Sequence, residues 1–274
     1  MPTQADKAQR FLQLHQAPGC FLVPNPWDAG SAKLLASLGF SALATSGAGI
    51  AFAQGKGDLD VSARAMLPSL RAICAATDLP VSADLQNGFG PSADEAAQTI
   101  LEAAHTGIVG GSLEDASGDD NAPIYDIGLA TDRIRAAAEA ARSLPFKFML
   151  TARCENFLYG RADLDDTIAR LQAYEDAGAD VLFAPGITEA DDVKAVLGAI
   201  ERPFNLLMGL PGMELDLHTA TRLGVKRVST GGSLARAAYG ALLRAGSEIM
   251  SQCSFGYASH AISGKDMKAL LQEI

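Results

Sequence analysis

The chain has 274 residues and is 48% hydrophobic, enough to bury a sizeable core within one large domain or two small ones. Its 22 Lys and Arg against 32 Asp and Glu give a formal net charge of -10, the wrong sign for a surface that neutralises phosphate backbones, so nucleic acid is not an expected partner. No stretch reaches about 18 consecutive apolar residues, and residues 1–13 are broken by polar and charged side chains where a signal peptide carries its apolar run, so a cytoplasmic protein without a membrane partner is expected. Cys20, Cys74, Cys154 and Cys253 lie far apart with no C-x-x-C pair, which indicates neither a zinc site nor a disulfide framework.

In chain order, short apolar runs occupy residues 21–24, 42–45, 81–84, 111–114, 148–153, 181–184, 204–208 and 227–230. Their starts are on average about 29 residues apart, room for a strand, a helix and two loops. Stretches at helical spacing lie between them, at 92–105, 130–142, 164–177 and 189–200. The first opens with Ser92 and carries Glu95 three residues on, the spacing of a capping box. Gly39, Gly178 and Gly224 each follow a helical stretch, where a glycine in the left-handed region closes a helix. Largely apolar strands suit a parallel sheet covered on both faces, and eight such units without a Pro/Gly/Ser-rich linker predict an α/β fold of the (β/α)8 barrel type. The expectation is a single barrel domain over residues 1–274, with 233–274 as a C-terminal helical extension that supplies the eighth helix and a further element packed elsewhere.

In such a barrel the residues at the C-terminal ends of the strands face the active site. Here they are acidic: Asp28 follows the first run, Ser46 and Gly47 the second, Asp58 lies in the next loop, Asp84 ends the third, Glu114 and Asp115 the fourth, and Arg153 the fifth. Carboxylates converging on one mouth repel unless a hard cation or a basic side chain neutralises them, so Mg²⁺ or Mn²⁺ with Arg153 nearby is expected, with Asp84 and Glu114 as metal-site residues. Asp28 and Asp115 taken singly read as well as a structural group, a helix cap or the partner of a loop arginine, as they do as site residues, and Arg153 also reads as a structural ion pair. His15, His105, His218 and His260 show no ligand spacing and are expected to be structural. Gly231-Gly232-Ser233 suits either a phosphate cradle or a close backbone approach.

At these residues the sequence resembles the isocitrate lyase and phosphoenolpyruvate mutase superfamily, from about Pro24 to Ala238. The likeness is carried by Thr45-Ser46-Gly47-Ala48-Gly49 with Gly55-Lys56-Gly57-Asp58, by 83–90 (Ala-Asp-Leu-Gln-Asn-Gly-Phe-Gly), by Leu113-Glu114-Asp115 and by Thr151-Ala152-Arg153. The resemblance implies a barrel whose last helix is swapped between subunits, a homotetramer built as a dimer of dimers, and a Mg²⁺ that chelates a 2-oxo acid or its enolate. It implies Asp84 as principal metal ligand, with Asp58 and Glu114 acting mainly through metal-bound water. Ser46, Gly47 and Ala48 would offer hydroxyl and N–H groups to a substrate carboxylate, and Arg153 would hold the reacting carboxylate or enolate oxygen; Arg153 and Asp58 are the catalytic candidates.

The departures bear on substrate. Members that cleave isocitrate or methylisocitrate carry a Lys-Lys/Arg-Cys-Gly-His segment after the fourth strand, and the mutase and phosphonopyruvate hydrolase branch carries a Lys-containing gate. Residues 116–123 here (Ala-Ser-Gly-Asp-Asp-Asn-Ala-Pro) hold no Cys, His or Lys, and Gln86 replaces the second acid of the family's Asp-x-Asp-x-Gly motif. The expected activity is that of a Mg²⁺-dependent C–C lyase, a decarboxylase or a retro-aldol or retro-Claisen enzyme, acting on a small 2-oxo or 2-hydroxy acid. P–C chemistry on a phosphonopyruvate-like substrate, or a non-catalytic barrel that binds 2-oxo acids, are the alternatives.

Overall fold

The computed structural model describes residues 2–272. Eight strands, β1 (Phe21–Val23), β2 (Leu43–Ala44), β3 (Val81–Asp84), β4 (Gly110–Glu114), β5 (Met149–Arg153), β6 (Val181–Phe183), β7 (Phe204–Leu207) and β8 (Arg227–Ser229), pair in parallel in the order β1-β8-β7-β6-β5-β4-β3-β2. The Ala44 and Ser46 N–H groups donate to the Pro24 and Pro26 carbonyls at 3.1 and 3.2 Å and bring β2 back against the chain after β1, closing the ring. All eight strands fall on the predicted runs, β4 starting one residue earlier.

The helices are α1 (Gln4–Gln16), α2 (Ala29–Ser37), α3 (Gly47–Ala53), α4 (Ala63–Ala75), α5 (Ala93–Ala104), α6 (Ile127–Ser143), α7 (Leu164–Asp176), α8 (Ala190–Ala199), α9 (Leu217–Leu223), α10 (Ser233–Gln252) and α11 (Gly264–Gln272). Ser92 and Glu95 form the expected reciprocal caps of α5, the Glu95 N–H donating to Ser92 Oγ at 3.2 Å and the Ser92 N–H to Glu95 Oε2 at 2.9 Å. Gly178 (φ 107°) and Gly224 (φ 101°) follow α7 and α9 in the left-handed region that only glycine enters without strain. Among the described residues no helix is long and apolar enough to cross a membrane.

Two helices lie outside the sequence expectation. α1, capped by Thr3 and Asp6, puts Ala8 and Phe11 against Val23, Val109, Met149 and Val181 and so plugs the N-terminal end of the barrel. α3 contains two glycines and has a poor intrinsic propensity; Ser46 caps it, and Gly49 lets it approach until an added Cβ would stand 2.8 Å from Trp27 Cβ. The same close packing governs Gly110, where an added Cβ would lie 2.8 Å from the Met149 carbonyl oxygen and 3.1 Å from Phe11 Cε1. Gly110→Ala is therefore expected to destabilise the fold by about 1–3 kcal/mol, read as a lower midpoint in urea unfolding. After β8, α10 packs on α3 but buries only Ala235, leaving Leu242, Leu243 and Met250 exposed. α11 returns to α2, where Lys33 Nζ donates to the Leu271 carbonyl at 2.8 Å.

Candidate active site

The registers of β3, β4 and β5 set Asp84 opposite Ser112 and Glu114 opposite Arg153, so both acids and the guanidinium stand at the C-terminal mouth. Arg153 Nη1 lies 3.0 Å from Glu114 Oε2 and 3.5 Å from Asp84 Oδ1, and Nε donates to the Glu155 carboxylate. Glu155 is itself fixed, its N–H donating to Asp115 Oδ1 at 2.8 Å. Asp115 Oδ2 accepts from Tyr174 Oη at 2.6 Å and from Arg170 at 3.2 Å. Asp115 takes the structural reading, as the partner of Arg170 beneath the site, and does not line the site's cavity. Asp28 is a helix cap, taking the Ser31 N–H at 2.6 Å at the start of α2.

Asp84 and Arg153 face a cavity of about 230 Å³ that runs into the barrel, with Asp58, Ser46 and Ala48 also on its walls. Asp58 sits on the exposed rim with its carboxyl turned inward, raised above the ordinary carboxylate range by burial and by the neighbouring charge of Asp84. Glu114 does not line the cavity; it lies behind Arg153. Burial raises its carboxyl well above the usual range against the pull of Arg153, and Glu155, Asp84 and Asp58 push it further. Burial likewise raises Glu155. It also works against the Arg153 charge, but Glu114, Glu155 and Asp84 outweigh it and keep the guanidinium protonated.

Ser46 and Ala48 meet the cavity as expected, while the Gly47 N–H donates to Asp84 Oδ2 at 2.9 Å and orients that carboxylate. The Gly231 and Thr230 N–H groups donate to Asn25 Oδ1 at 3.0 and 2.8 Å, which favours the close-approach reading of the Gly231-Gly232-Ser233 turn over a phosphate cradle. Residues 116–123 fold on themselves through an Ala116–Ile124 bridge and a Ser117 Oγ bond to the Ala122 carbonyl at 2.6 Å. None of them lines the cavity; Ser117 and Gly118 face a neighbouring groove with Gln86. Gln86 adopts a left-handed backbone (φ 51°), and its buried Nε2 has no hydrogen-bond partner among the described residues.

Sequence reasoning passed over Asn25, Glu155, Asn205, Arg227 and Arg236. Asn25 and Glu155 follow β1 and β5, so the strand-end rule could have found both. Arg236 reaches the rim from the first turn of α10 and makes no ion pair among the described residues. Asn205 and Arg227 lie inside the barrel, where that rule does not look. His15 is structural, buried with Nδ1 against the Phe11 carbonyl at 2.8 Å.

A family model described as phosphoenolpyruvate phosphomutase matches residues 11–250. The chain belongs to the phosphoenolpyruvate mutase and isocitrate lyase superfamily. A crystal structure from Burkholderia cenocepacia J2315, described as a candidate lyase/mutase, is 55% identical with a TM-score of 0.96, covering 97% of this chain and 96% of its own. The uncharacterised protein Rv1998c of Mycobacterium tuberculosis is 31% identical over 81% of each chain. The 2-methylisocitrate lyase of Bacillus subtilis is 28% identical, covering 74% of this chain and 67% of its own. The oxaloacetate decarboxylase of Bradyrhizobium diazoefficiens is 29% identical, covering 75% and 72%. Members of this superfamily are lyases and mutases, and this chain is an enzyme of that group.

The superfamily implies a divalent cation, and the donor set here fits one. Asp58, Asp84 and Glu155 lie within electrostatic reach of Glu114, and Arg153 alone pairs with three of the four, a cluster of hard oxygen donors whose charged forms a divalent cation would favour. Among the described residues no three His, Cys, Asp or Glu side chains form a ready-made cage. A cation held by one or two carboxylates, with water completing its shell, is the arrangement Mg²⁺ favours.

Proposed function

We propose that this cavity binds a small 2-oxo or 2-hydroxy acid together with Mg²⁺ or Mn²⁺ and cleaves a C–C bond of it, in decarboxylation the bond between the carbon next to the carbonyl and the far carboxylate. The observation that carries the reading is Arg153, locked between Glu155 and Glu114 with Nη1 beside Asp84 on the cavity wall. Asp84 would hold the metal, with Asp58 assisting through water and Glu114, behind Arg153, acting on the site through that guanidinium, and the metal would supply Lewis acidity toward the carbonyl oxygen. Arg153 is preorganised to meet the negative charge that builds on that oxygen as the bond breaks. The Ser46 hydroxyl and the Ala48 N–H are left to orient the substrate carboxylate, because the Gly47 N–H serves Asp84.

In decarboxylation of a 2-oxo diacid the electron pair of the breaking bond moves into the carbonyl, CO₂ departs, and water protonates the resulting enolate. Cleavage of isocitrate or methylisocitrate also needs a base to take the hydroxyl proton, a role typically worth about 10²–10⁴ in rate. Residues 116–123 bring no such group to the cavity. With Mg²⁺ present, oxaloacetate is expected to give pyruvate with a kcat/KM at least about tenfold above that for isocitrate or methylisocitrate; faster isocitrate cleavage would sink the argument from this loop. Arg236 favours a second reading, P–C chemistry on a phosphonopyruvate-like substrate, because the extra phosphonate charge needs another cation at the mouth. Assaying inorganic phosphate beside pyruvate separates the two.

The exposed Leu242, Leu243 and Met250 row on α10 supports the implied homotetramer with exchange of the last helix. Truncation after Arg244 is expected to dissociate the assembly in sedimentation velocity, whereas an unchanged sedimentation coefficient and melting temperature would count against it.

A further inference from the structure

At the start of β8, inside the barrel, lies a guanidinium that no carboxylate answers among the described residues. Arg227 is 5% exposed and lines the cavity from its deep end. Its Nε donates to Asn205 Oδ1 at 2.8 Å, its Nη2 to Thr151 Oγ1 at 3.0 Å, and its Nη1 faces His15 Nε2 at 3.5 Å. Every one of these partners is neutral. His15 uses Nδ1–H on the Phe11 carbonyl, so Nε2 offers only a lone pair, and burial together with the Arg227 charge pushes its pKa down to about 3. Burial alone lowers Arg227, to about 9, and the group stays charged at neutral pH.

A buried charge is retained in a fold when something pairs it, and neutral hydrogen bonds leave the charge itself uncompensated. A guanidinium has five N–H donors, and three have partners here. The surrounding barrel interior is built from small polar side chains, Ser82, Ser112 and Ser229, which leave open volume instead of filling the layer as bulky branched residues would. We propose that Arg227 is the floor of a second anion subsite, beneath Arg153 and Asp84, which seats a small anion: either the far carboxylate of a diacid ligand or a free halide. The upper carboxylate of a diacid then meets the mouth and the lower one descends toward Arg227. The carboxylate source rests on the 2-oxo acid reading given above; the subsite itself does not.

The test uses the full chain with saturating Mg²⁺ and compares wild type with Arg227→Met and Arg227→Lys by calorimetry, with oxalate as a probe of the mouth and L-malate and 2-oxoglutarate as diacid probes. Methionine replaces the charge by an apolar side chain of similar reach, so the fold is expected to survive. If a ligand carboxylate fills the subsite, Arg227→Met weakens the diacids by roughly tenfold or more, leaves oxalate within about twofold, and Arg227→Lys recovers part of the loss. If a halide fills it, wild type melts higher in potassium chloride than in potassium gluconate at equal ionic strength, and Arg227→Met abolishes that difference. Diacid affinities and a chloride response that are the same in wild type and Arg227→Met overturn the proposal. Failure of oxalate to bind either protein refutes the reading of the mouth, while the chloride comparison still decides Arg227.

Discussion

Asp84→Asn is expected to reduce Mg²⁺-dependent turnover by at least about 10³-fold and to remove the Mg²⁺ dependence of oxalate affinity. Asparagine keeps the shape of the side chain and an acceptor for the Gly47 N–H, which now donates to Asp84 Oδ2 at 2.9 Å. It removes the charge from the acid that lines the cavity, that Arg153 approaches to 3.5 Å, and that raises the Asp58 carboxyl. The remaining oxygen can keep the Gly47 N–H, while the longer bond from the Gln86 N–H to Oδ1 (3.2 Å) is lost, so the melting temperature without metal should stay within a few degrees of wild type, which separates loss of the metal site from loss of the fold. Calorimetry with oxalate in Mg²⁺ and in EDTA checks the first half, and the substrate panel the second. Retained turnover with an unchanged response to EDTA would refute the assignment.

Arg153→Met is expected to lower kcat/KM by about 10²–10³, the loss typical of removing one preorganised donor from a site of developing oxygen charge. The effect should fall mainly on kcat, because the charge Arg153 faces grows toward the transition state. A change confined to KM would make Arg153 a ground-state binding group. The same substitution has a second signature in stability. Burial already raises Glu114 and Glu155, with Arg153 as the largest opposing influence. Removing it raises both folded-state values further. A carboxyl whose folded pKa exceeds its unfolded one contributes stability below the unfolded value and loses it as pH rises through the folded one. The fall of melting temperature with rising pH should therefore continue to higher pH in the variant than in wild type. A parallel pair of curves would mean that the two acids are compensated by other groups.

Much of the barrel was legible in the chain because its signals are local. The runs at 21–24 and 148–153, the capping box of Ser92 and Glu95, and the terminating Gly178 and Gly224 each report a few neighbouring residues whose backbone choice depends little on the rest of the molecule. α3 was hidden because its Gly-Ala-Gly start has weak propensity and is held by a contact under Trp27 from a different βα unit. The candidate site divides in the same way. Asp84, Glu114 and Arg153 stand out as candidates by their position at strand ends, and Asp58 by the motif around it. Which acid meets the cavity and which meets the arginine was not available from position.

The sequence by itself determined the eight-unit alternation, the acidic mouth, the family, and a loop at 116–123 without a Lys, Cys or His, since composition and short-range order are enough for each. Only the tertiary structure decided that Asp84 faces the cavity while Glu114 stands behind Arg153, that Asp115 anchors Glu155, that the 116–123 loop turns away, and that Arg227 points into the barrel without a counter-charge among the described residues. The reason is physical: strands of two to five residues carry too few alternations to announce their inward face. Ring closure and register set that face, and they bring residues such as Thr151 and Arg227, 76 positions apart, into one small volume where each charge is judged by its neighbours.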